Sequence, residues 1–126
     1  MSQTQNFKAV LLVDDDHQLT DTLQAALTGE NFLVDVAHDG EEAFLKAKVH
    51  KYDAIVCDMV MPKLRGDEFY EQAVAYNPDL AQRFLFITGH ADDGTVRDFL
   101  QRISARYLLK PFGIQNLIDA INQLVA

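Results

Sequence analysis

The sequence has little that would suit a secreted or membrane-inserted protein. Its one cysteine, Cys57, has no second cysteine in the chain to pair with, which fits a reducing compartment. No apolar run approaches the roughly 20 residues that a helix needs to cross a bilayer. The polar start at residues 1–6 is not a signal peptide, because it lacks an apolar segment. We therefore predict a cytoplasmic protein that does not insert into a membrane.

Basic residues are also scarce. The 126 residues include 11 Lys and Arg against 19 Asp and Glu, which gives a net charge of -8. A nucleic-acid surface needs clustered Lys and Arg side chains to neutralise phosphates. The charge balance therefore argues against direct contact with nucleic acid.

The length is that of one domain. A chain of 126 residues can bury roughly two-thirds of its unfolded surface, so it needs no disulfide or structural metal. No linker, repeat or low-complexity stretch divides the sequence. We expect residues 1–126 to form a single domain with its core at about residues 7–125.

Short apolar runs alternate with amphipathic segments along the chain. The runs predict strands at residues 9–13, 32–36, 52–57, 84–87 and 107–109. The segments between and after them predict helices that begin near residues 16, 40, 67, 94 and 114, with Asp67 as the cap of the third helix. Five strands alternating with five helices indicate an α/β fold, with a doubly wound parallel sheet and helices on both faces.

Polar side chains follow four of these runs. They are residues 14–16 after the first run, Asp58 after the third, Thr88 after the fourth and Lys110 after the fifth. Ligands of open α/β sheets bind at the carboxyl ends of the strands. Carboxylates, a hydroxyl and an ammonium are therefore predicted to meet at one edge, as in a site for a hard metal ion and a phosphoryl group.

The carboxylates need a compensating charge. Two of them about 4 Å apart repel by roughly 4 kcal/mol at an effective dielectric near 20. A bound cation, a raised pKa or nearby Lys110 could stabilise the cluster of Asp14, Asp15 and Asp58. All-oxygen ligands suit Mg²⁺, with Mn²⁺ as an alternative, whereas zinc is disfavoured because no His or Cys lies at ligand spacing.

Each of these residues also has a simpler interpretation. Residues 14–16 fit the acidic N-terminus of a helix. Lys110 fits a solvated lysine, and Thr88 a threonine at a strand end. Asp58 is harder to explain in this way, because it follows an apolar run and must emerge at the sheet edge or suffer a large burial cost. A carboxylate in that place can act as a nucleophile towards phosphorus.

Taken together, these motifs resemble those of a known family. The sequence is similar to the receiver domains of bacterial two-component response regulators over about residues 7–125. The resemblance is carried by Leu-Val-Asp-Asp-Asp at residues 12–16, Asp-Met-Val-Met-Pro at 58–62, Gly66, Phe-Ile-Thr-Gly at 86–89 and Tyr-Leu-Leu-Lys-Pro-Phe at 107–112. It implies a flavodoxin-like sheet with strand order 2-1-3-4-5.

The resemblance also implies roles for the residues at the sheet edge. Asp58 would be the phosphoacceptor, taking a phosphoryl group from a phosphohistidine of a sensor histidine kinase or phosphotransfer protein. Asp14 and Asp15 would hold Mg²⁺ together with Asp58 and the Val60 carbonyl. Thr88 and Lys110 would contact the phosphoryl oxygens.

A switch is implied by the same resemblance. Phosphorylation would draw Thr88 towards the phosphoryl group, and the ring of Tyr107 would enter the space left behind. The surface of the fourth helix, fifth strand and fifth helix would then change for a downstream output protein or domain. A phosphorylation-dependent homodimer is a further expectation. The simpler interpretation of Tyr107 is a half-exposed aromatic residue on an edge strand.

The sequence departs from the family pattern at four positions. Arg65 stands where an acidic or amide residue usually precedes Gly66. Gly113 stands where a helix-capping Asp or Ser is common. Val60 and His90 occupy the positions two residues after Asp58 and Thr88, where side chains flank the phosphoryl group and affect the lifetime of the acyl phosphate. The remaining histidines, at positions 17, 38 and 50, are expected to be scattered and solvated.

Other functions compete with the signalling switch. An aspartate-nucleophile, magnesium-dependent phosphohydrolase typically carries a second Asp two residues after the nucleophile, where this chain has Val60. A constitutive interaction module would not need the full set of charged residues at the sheet edge. The chain also resembles receiver modules of hybrid sensor kinases, from which it could be an excised domain. We expect a protein that catalyses only its own phosphorylation and dephosphorylation.

Overall fold

The strands form one parallel sheet. A computed structural model describes residues 7–126. Its strands are β1 (Ala9–Val13), β2 (Leu33–Ala37), β3 (Ala54–Asp58), β4 (Phe84–Thr88) and β5 (Arg106–Leu109). They lie in the order β2-β1-β3-β4-β5, and all paired strands are parallel, which confirms the predicted fold. The polar start at residues 1–6, predicted not to be a signal peptide, lies outside the described residues.

The helices cover both faces of this sheet. In the described part of the chain they are α1 (His17–Gly29), α2 (Gly40–Val49), α3 (Gly66–Tyr76), α4 (Gly94–Arg102) and α5 (Ile114–Val125), with a short 3-10 helix at Pro78–Gln82. One apolar core joins the sheet to α2, α3 and α4, and the other joins it to α1 and α5. Between residues 7 and 126, no helix is both long enough and apolar enough to span a bilayer.

The three central strands are apolar at nearly every position because both of their faces are covered. Every residue of β3 and β4 is buried. Consecutive side chains of a strand point to opposite faces, so Ile55 and Phe86 pack in the first core while Val56 and Leu85 pack in the second. Cys57 is fully buried, as expected, and burial followed by the charge of Asp58 raises the pKa of its thiol.

Two strands begin later than predicted, for local reasons. Phe32 lies outside β2 because its N–H donates to the carbonyl of Leu27 and so closes the end of α1. Tyr52 lies outside β3. Its carbonyl accepts a hydrogen bond from Arg83 Nη1 at 2.8 Å, and its hydroxyl donates to Asp35 Oδ2 at 2.6 Å. Both residues are still buried, so their apolar character was correctly interpreted but their strand membership was not.

The third helix begins before its predicted cap. The expectation that Asp67 caps it is wrong, because the N-cap is Arg65 and Asp67 lies in the first turn. The Arg65 N–H donates to Glu68 Oε1 at 3.0 Å. Gly66 allows this start, because a Cβ atom there would lie only 2.4 Å from the carbonyl oxygen of Asp58.

This close approach predicts a specific sensitivity at Gly66. The Gly66→Ala variant should lower the free energy of unfolding by about 1–3 kcal/mol, because the new methyl group displaces backbone next to Asp58. Urea denaturation followed by circular dichroism measures the change.

Gly29→Ala is the matched control, since a Cβ atom there has no neighbour within 4 Å. Its free energy of unfolding should stay the same or rise by up to about 1 kcal/mol. Equal effects of the two substitutions would contradict this explanation of Gly66.

Candidate functional site

The carboxyl ends of the central strands bring acidic residues together. Asp14 follows β1 and is 2% exposed, and Asp58 ends β3 and is 5% exposed. Asp15 is exposed beside them. One carboxylate oxygen from each of the three residues lies within 4.8 Å of the others. The structure therefore places the three predicted acidic ligands in one cluster.

Lys110 contacts this acidic cluster. Its Nζ donates to Asp14 Oδ2 at 2.8 Å and lies 3.4 Å from Asp58 Oδ2. Burial by itself lowers the pKa of Lys110. The hydrogen bond to Asp14 and the charges of both carboxylates outweigh that effect, so its pKa lies above the ordinary value. One ammonium group therefore serves two carboxylates.

Lys110 does not fully stabilise the ionised form of Asp58. Burial, followed by repulsion from Asp14, raises its pKa from an ordinary 3.8 to about 6. Lys110 and hydrogen bonds from the Val60 and Met59 N–H groups act in the opposite direction and compensate only in part. The site thus has an excess of negative charge that a further cation would relieve.

Thr88 is held beside Lys110 by the backbone. It ends β4 and is fully buried. Its carbonyl accepts a hydrogen bond from the Lys110 N–H at 2.8 Å, and its Oγ1 accepts one from the His90 N–H at 2.9 Å. Because the Oγ1 acts as acceptor in that bond, its own hydrogen remains free to be donated to another group.

The donor set of the acidic cluster fits a hard cation. It consists of carboxylates alone, whose oxygens are the usual ligands of Mg²⁺. Asp16 has a different role, since its side chain caps α1 by accepting from the Leu19 N–H at 3.1 Å. The helix-cap interpretation thus holds for Asp16 alone. The predicted ligand role of the Val60 carbonyl stays a prediction.

Tyr107 lies on the surface of β5. Its side chain is 49% exposed. With α4 residues that include Arg97, Leu100 and Gln101, it lines a cavity of about 310 Å³. The outward position agrees with the simpler interpretation of Tyr107 and leaves its switching role a prediction.

The structure shows the surroundings of the four residues that depart from the family pattern. Arg65 Nε lies 3.3 Å from Asp67 Oδ1, so this arginine pairs within its own helix start. Gly113 is the N-cap of α5 and makes no side-chain capping bond, as its lack of a side chain implies. His90 is exposed next to Thr88, and Val60 is half-buried.

The sequence interpretation missed an interaction between two histidines. His17 and His38 were expected to be scattered, but their rings stack with centroids 3.6 Å apart. A usable signal was present: each residue closely follows a strand, and β1 pairs with β2 with Val13 opposite Ala37. The prediction of solvated side chains holds for His17 and His50, whereas His38 is half-buried.

The raised pKa of Asp58 predicts how stability depends on pH. Well below the ordinary pKa of 3.8 the carboxyl is protonated in both the folded and the unfolded state and does not affect stability, whereas above pH 6 the folded state must hold a charge that is both buried and repelled by Asp14. Removing that charge with Asp58→Asn should raise the free energy of unfolding at pH 7.5, without Mg²⁺, by about 1–3 kcal/mol. Near pH 4 the gain should largely vanish.

Urea denaturation at several pH values measures this difference. The exposed Asp21→Asn variant is the control and should follow the wild type at every pH. A gain for Asp58→Asn that does not change between pH 4 and 7.5 would contradict the electrostatic account.

Comparisons with known proteins agree with this geometry. A sequence model of the response regulator receiver domain matches residues 10–122. Response regulator ArlR of Staphylococcus aureus is 29% identical over 116 residues, which are 92% of this chain and 52% of ArlR. The chain thus spans about half the length of the curated relatives it matches.

Solved structures share the fold. A CheY-like receiver domain protein from Methanospirillum hungatei has a TM-score of 0.87 at 25% identity, over 95% of this chain and 94% of that chain. The receiver domain of a Pseudomonas aeruginosa sensor histidine kinase, which coordinates a magnesium ion in its active-site cleft, has a TM-score of 0.83 at 24% identity over 95% and 98%. Because the family model covers most of its length, this chain belongs to the response regulator receiver domains of two-component signalling.

Proposed function

We propose that this receiver domain is a switch in a phosphorelay, in which Asp58 accepts a phosphoryl group from a phosphohistidine of a sensor histidine kinase or phosphotransfer protein. The observation that carries the proposal is the setting of Asp58. Its buried carboxylate shares one edge of the sheet with two further carboxylates and lies 3.4 Å from the Lys110 Nζ.

The transfer is a substitution at phosphorus. A carboxylate oxygen of Asp58 forms a bond to phosphorus, the phosphorus–nitrogen bond breaks, and its electron pair stays on the imidazole nitrogen. A pKa of about 6 leaves most Asp58 ionised at pH 7 and therefore able to attack. Lys110 neutralises charge on the phosphoryl oxygens, and the free hydroxyl hydrogen of Thr88 supplies a further donor.

The acidic cluster is proposed to hold Mg²⁺, with Mn²⁺ as an alternative ion. Asp14, Asp15 and Asp58 would be its side-chain ligands and Val60 would contribute a carbonyl. Bound Mg²⁺ supplies charge that screens the repulsion between Asp58 and the anionic phosphoryl group. The excess negative charge of the cluster supports this assignment, as does the magnesium ion in the Pseudomonas aeruginosa receiver domain.

The proposed readout is the surface of α4, β5 and α5. Movement of Thr88 towards a phosphoryl group would let Tyr107 turn inwards. Tyr107 lines the same surface cavity as Arg97 and Leu100 of α4, so its departure would reshape that surface for a downstream output protein or domain. A phosphorylation-dependent homodimer through this surface belongs to the proposal.

The alternative functions differ from the proposed switch in the reaction that they would catalyse. A phosphohydrolase would turn over an outside substrate, but Val60 offers no second acid next to the nucleophile. The proposed domain catalyses only its own phosphorylation and dephosphorylation. It acts in the cytoplasm, either as a free-standing regulator or as a module of a larger protein such as a hybrid sensor kinase.

Incubation with a small phosphodonor and Mg²⁺ tests the proposal. The wild type should gain one phosphoryl group per chain, measured by intact-protein mass spectrometry, and Asp58→Asn should gain none because it lacks the nucleophile. Asp21→Asn, which removes an exposed carboxylate elsewhere on the chain, should react like the wild type. Continuous turnover of the donor without a phosphoprotein would favour the phosphohydrolase, and no reaction would favour the interaction module.

The proposed Mg²⁺ site leads to a separate prediction. Mg²⁺ at roughly ten to a hundred times its Kd should raise the free energy of unfolding of the wild type by about 1–3 kcal/mol. Asp15→Asn should lose most of this gain because it removes one exposed carboxylate ligand. Thermal unfolding with and without Mg²⁺ measures it. An equal gain in the wild type and Asp15→Asn would contradict the assigned ligands.

A further inference from the structure

A stacked histidine pair lies beside the acidic loop. His17 is the first residue of α1 and His38 follows the last residue of β2. Their ring centroids are 3.6 Å apart, and the ring planes differ by 9°. His17 is exposed and His38 is half-buried, so the exposed ring covers one face of the other. The pair joins the start of α1 to the loop between β2 and α2.

Thr20 connects the two histidines through hydrogen bonds. It is fully buried, and its Oγ1 donates to the His17 carbonyl at 3.1 Å. The same Oγ1 lies 3.2 Å from His38 Nε2. A hydroxyl has only one hydrogen, so when Thr20 donates it to the His17 carbonyl, its Oγ1 can only accept at this second contact and His38 donates from Nε2. In this arrangement His38 carries a hydrogen on Nε2, and Thr20 bridges both histidines.

The loop that carries His38 also holds the backbone of Asp14. The Asp14 N–H donates to the Ala37 carbonyl at 3.1 Å, and the His38 N–H donates to Glu42 Oε1 at 2.8 Å. Residues 14–16 are thus attached to residue 37 at their start and, through His17 and Thr20, to residue 38 at their end. The exposed Asp15 lies in the middle of this short segment.

We infer that His38 is a positioning residue for the acidic loop, holding Asp14 and Asp15 in the arrangement that binds Mg²⁺ through its contacts with Thr20 and His17. The inference rests on the metal role proposed for these carboxylates. Metal ligands need support from neighbouring groups, and loss of a group bonded directly to a ligand weakens metal binding about 10- to 100-fold. Since His38 acts through the start of α1, we expect a loss of about 3- to 10-fold.

Isothermal titration calorimetry of the unphosphorylated chain with Mg²⁺ tests this inference. His38→Ala should weaken Mg²⁺ binding by about 3- to 10-fold. His38→Gln should recover part of the affinity, because its amide nitrogen can donate to the Thr20 Oγ1 in place of the imidazole. His50→Ala is the matched control, since His50 follows the far end of α2, and should bind like the wild type.

The variants also separate positioning from a general loss of stability. His17→Ala removes an exposed ring and one side of the stack, and it should weaken Mg²⁺ binding in the same direction. It provides the decisive comparison if His38→Ala does not fold at the titration temperature, which circular dichroism reports.

Three results would overturn the inference, and they distinguish failure of the positioning role from failure of the metal site. If the wild type binds Mg²⁺ and His17→Ala and His38→Ala both stay within about twofold of it, the histidines do not position the loop, but the metal site stands. The same conclusion follows if His38→Gln binds no tighter than a folded His38→Ala. If the wild type binds no Mg²⁺, the proposed metal site fails and the inference fails with it.

Discussion

The repulsion between carboxylates at one edge of the sheet is the interaction on which the site depends. Asp14 and Asp58 are both nearly fully buried, and their shared partner is a single ammonium group, that of Lys110. Burial, followed by repulsion from Asp14, raises the pKa of Asp58, and Lys110 offsets only part of that rise. In the proposed function, a divalent cation would complete the charge balance and would also screen an incoming phosphoryl group. The uncompensated negative charge of the unliganded site would thus favour binding of the proposed cation.

The packing of the sheet holds Asp14 and Asp58 close together. Parallel pairing of β1, β3 and β4 aligns the strand ends, and the apolar residues of these strands are covered on both faces. The backbone of Asp58 therefore cannot move away from Asp14 without disturbing the packed sheet. Gly66 adds to this constraint, because the start of α3 lies against the Asp58 carbonyl. The packed sheet thus holds the acidic side chains at one edge, where the proposed cation would relieve their repulsion.

Most of the fold could be predicted from the sequence, because unbroken apolar runs identify buried parallel strands and the residue after each run lies at a known edge. This reasoning placed Asp14, Asp58, Thr88 and Lys110 together. It failed where one local hydrogen bond decides the boundary, as at Phe32, whose N–H closes α1. It also failed for the helix cap at Asp67, because a local hydrogen bond from the Arg65 N–H to Glu68 sets the start of α3. It missed the His17–His38 stack because apolar patterns alone do not describe how the loops after two paired strands approach each other.

The charge state of Asp58 can be followed directly by carbon NMR of the labelled carboxyl group during a pH titration. Without Mg²⁺, the account predicts a pKa of about 6 for this group. With saturating Mg²⁺, the pKa should fall, because the cation favours the ionised carboxylate. A pKa near 3.8, unchanged by Mg²⁺, would contradict the account.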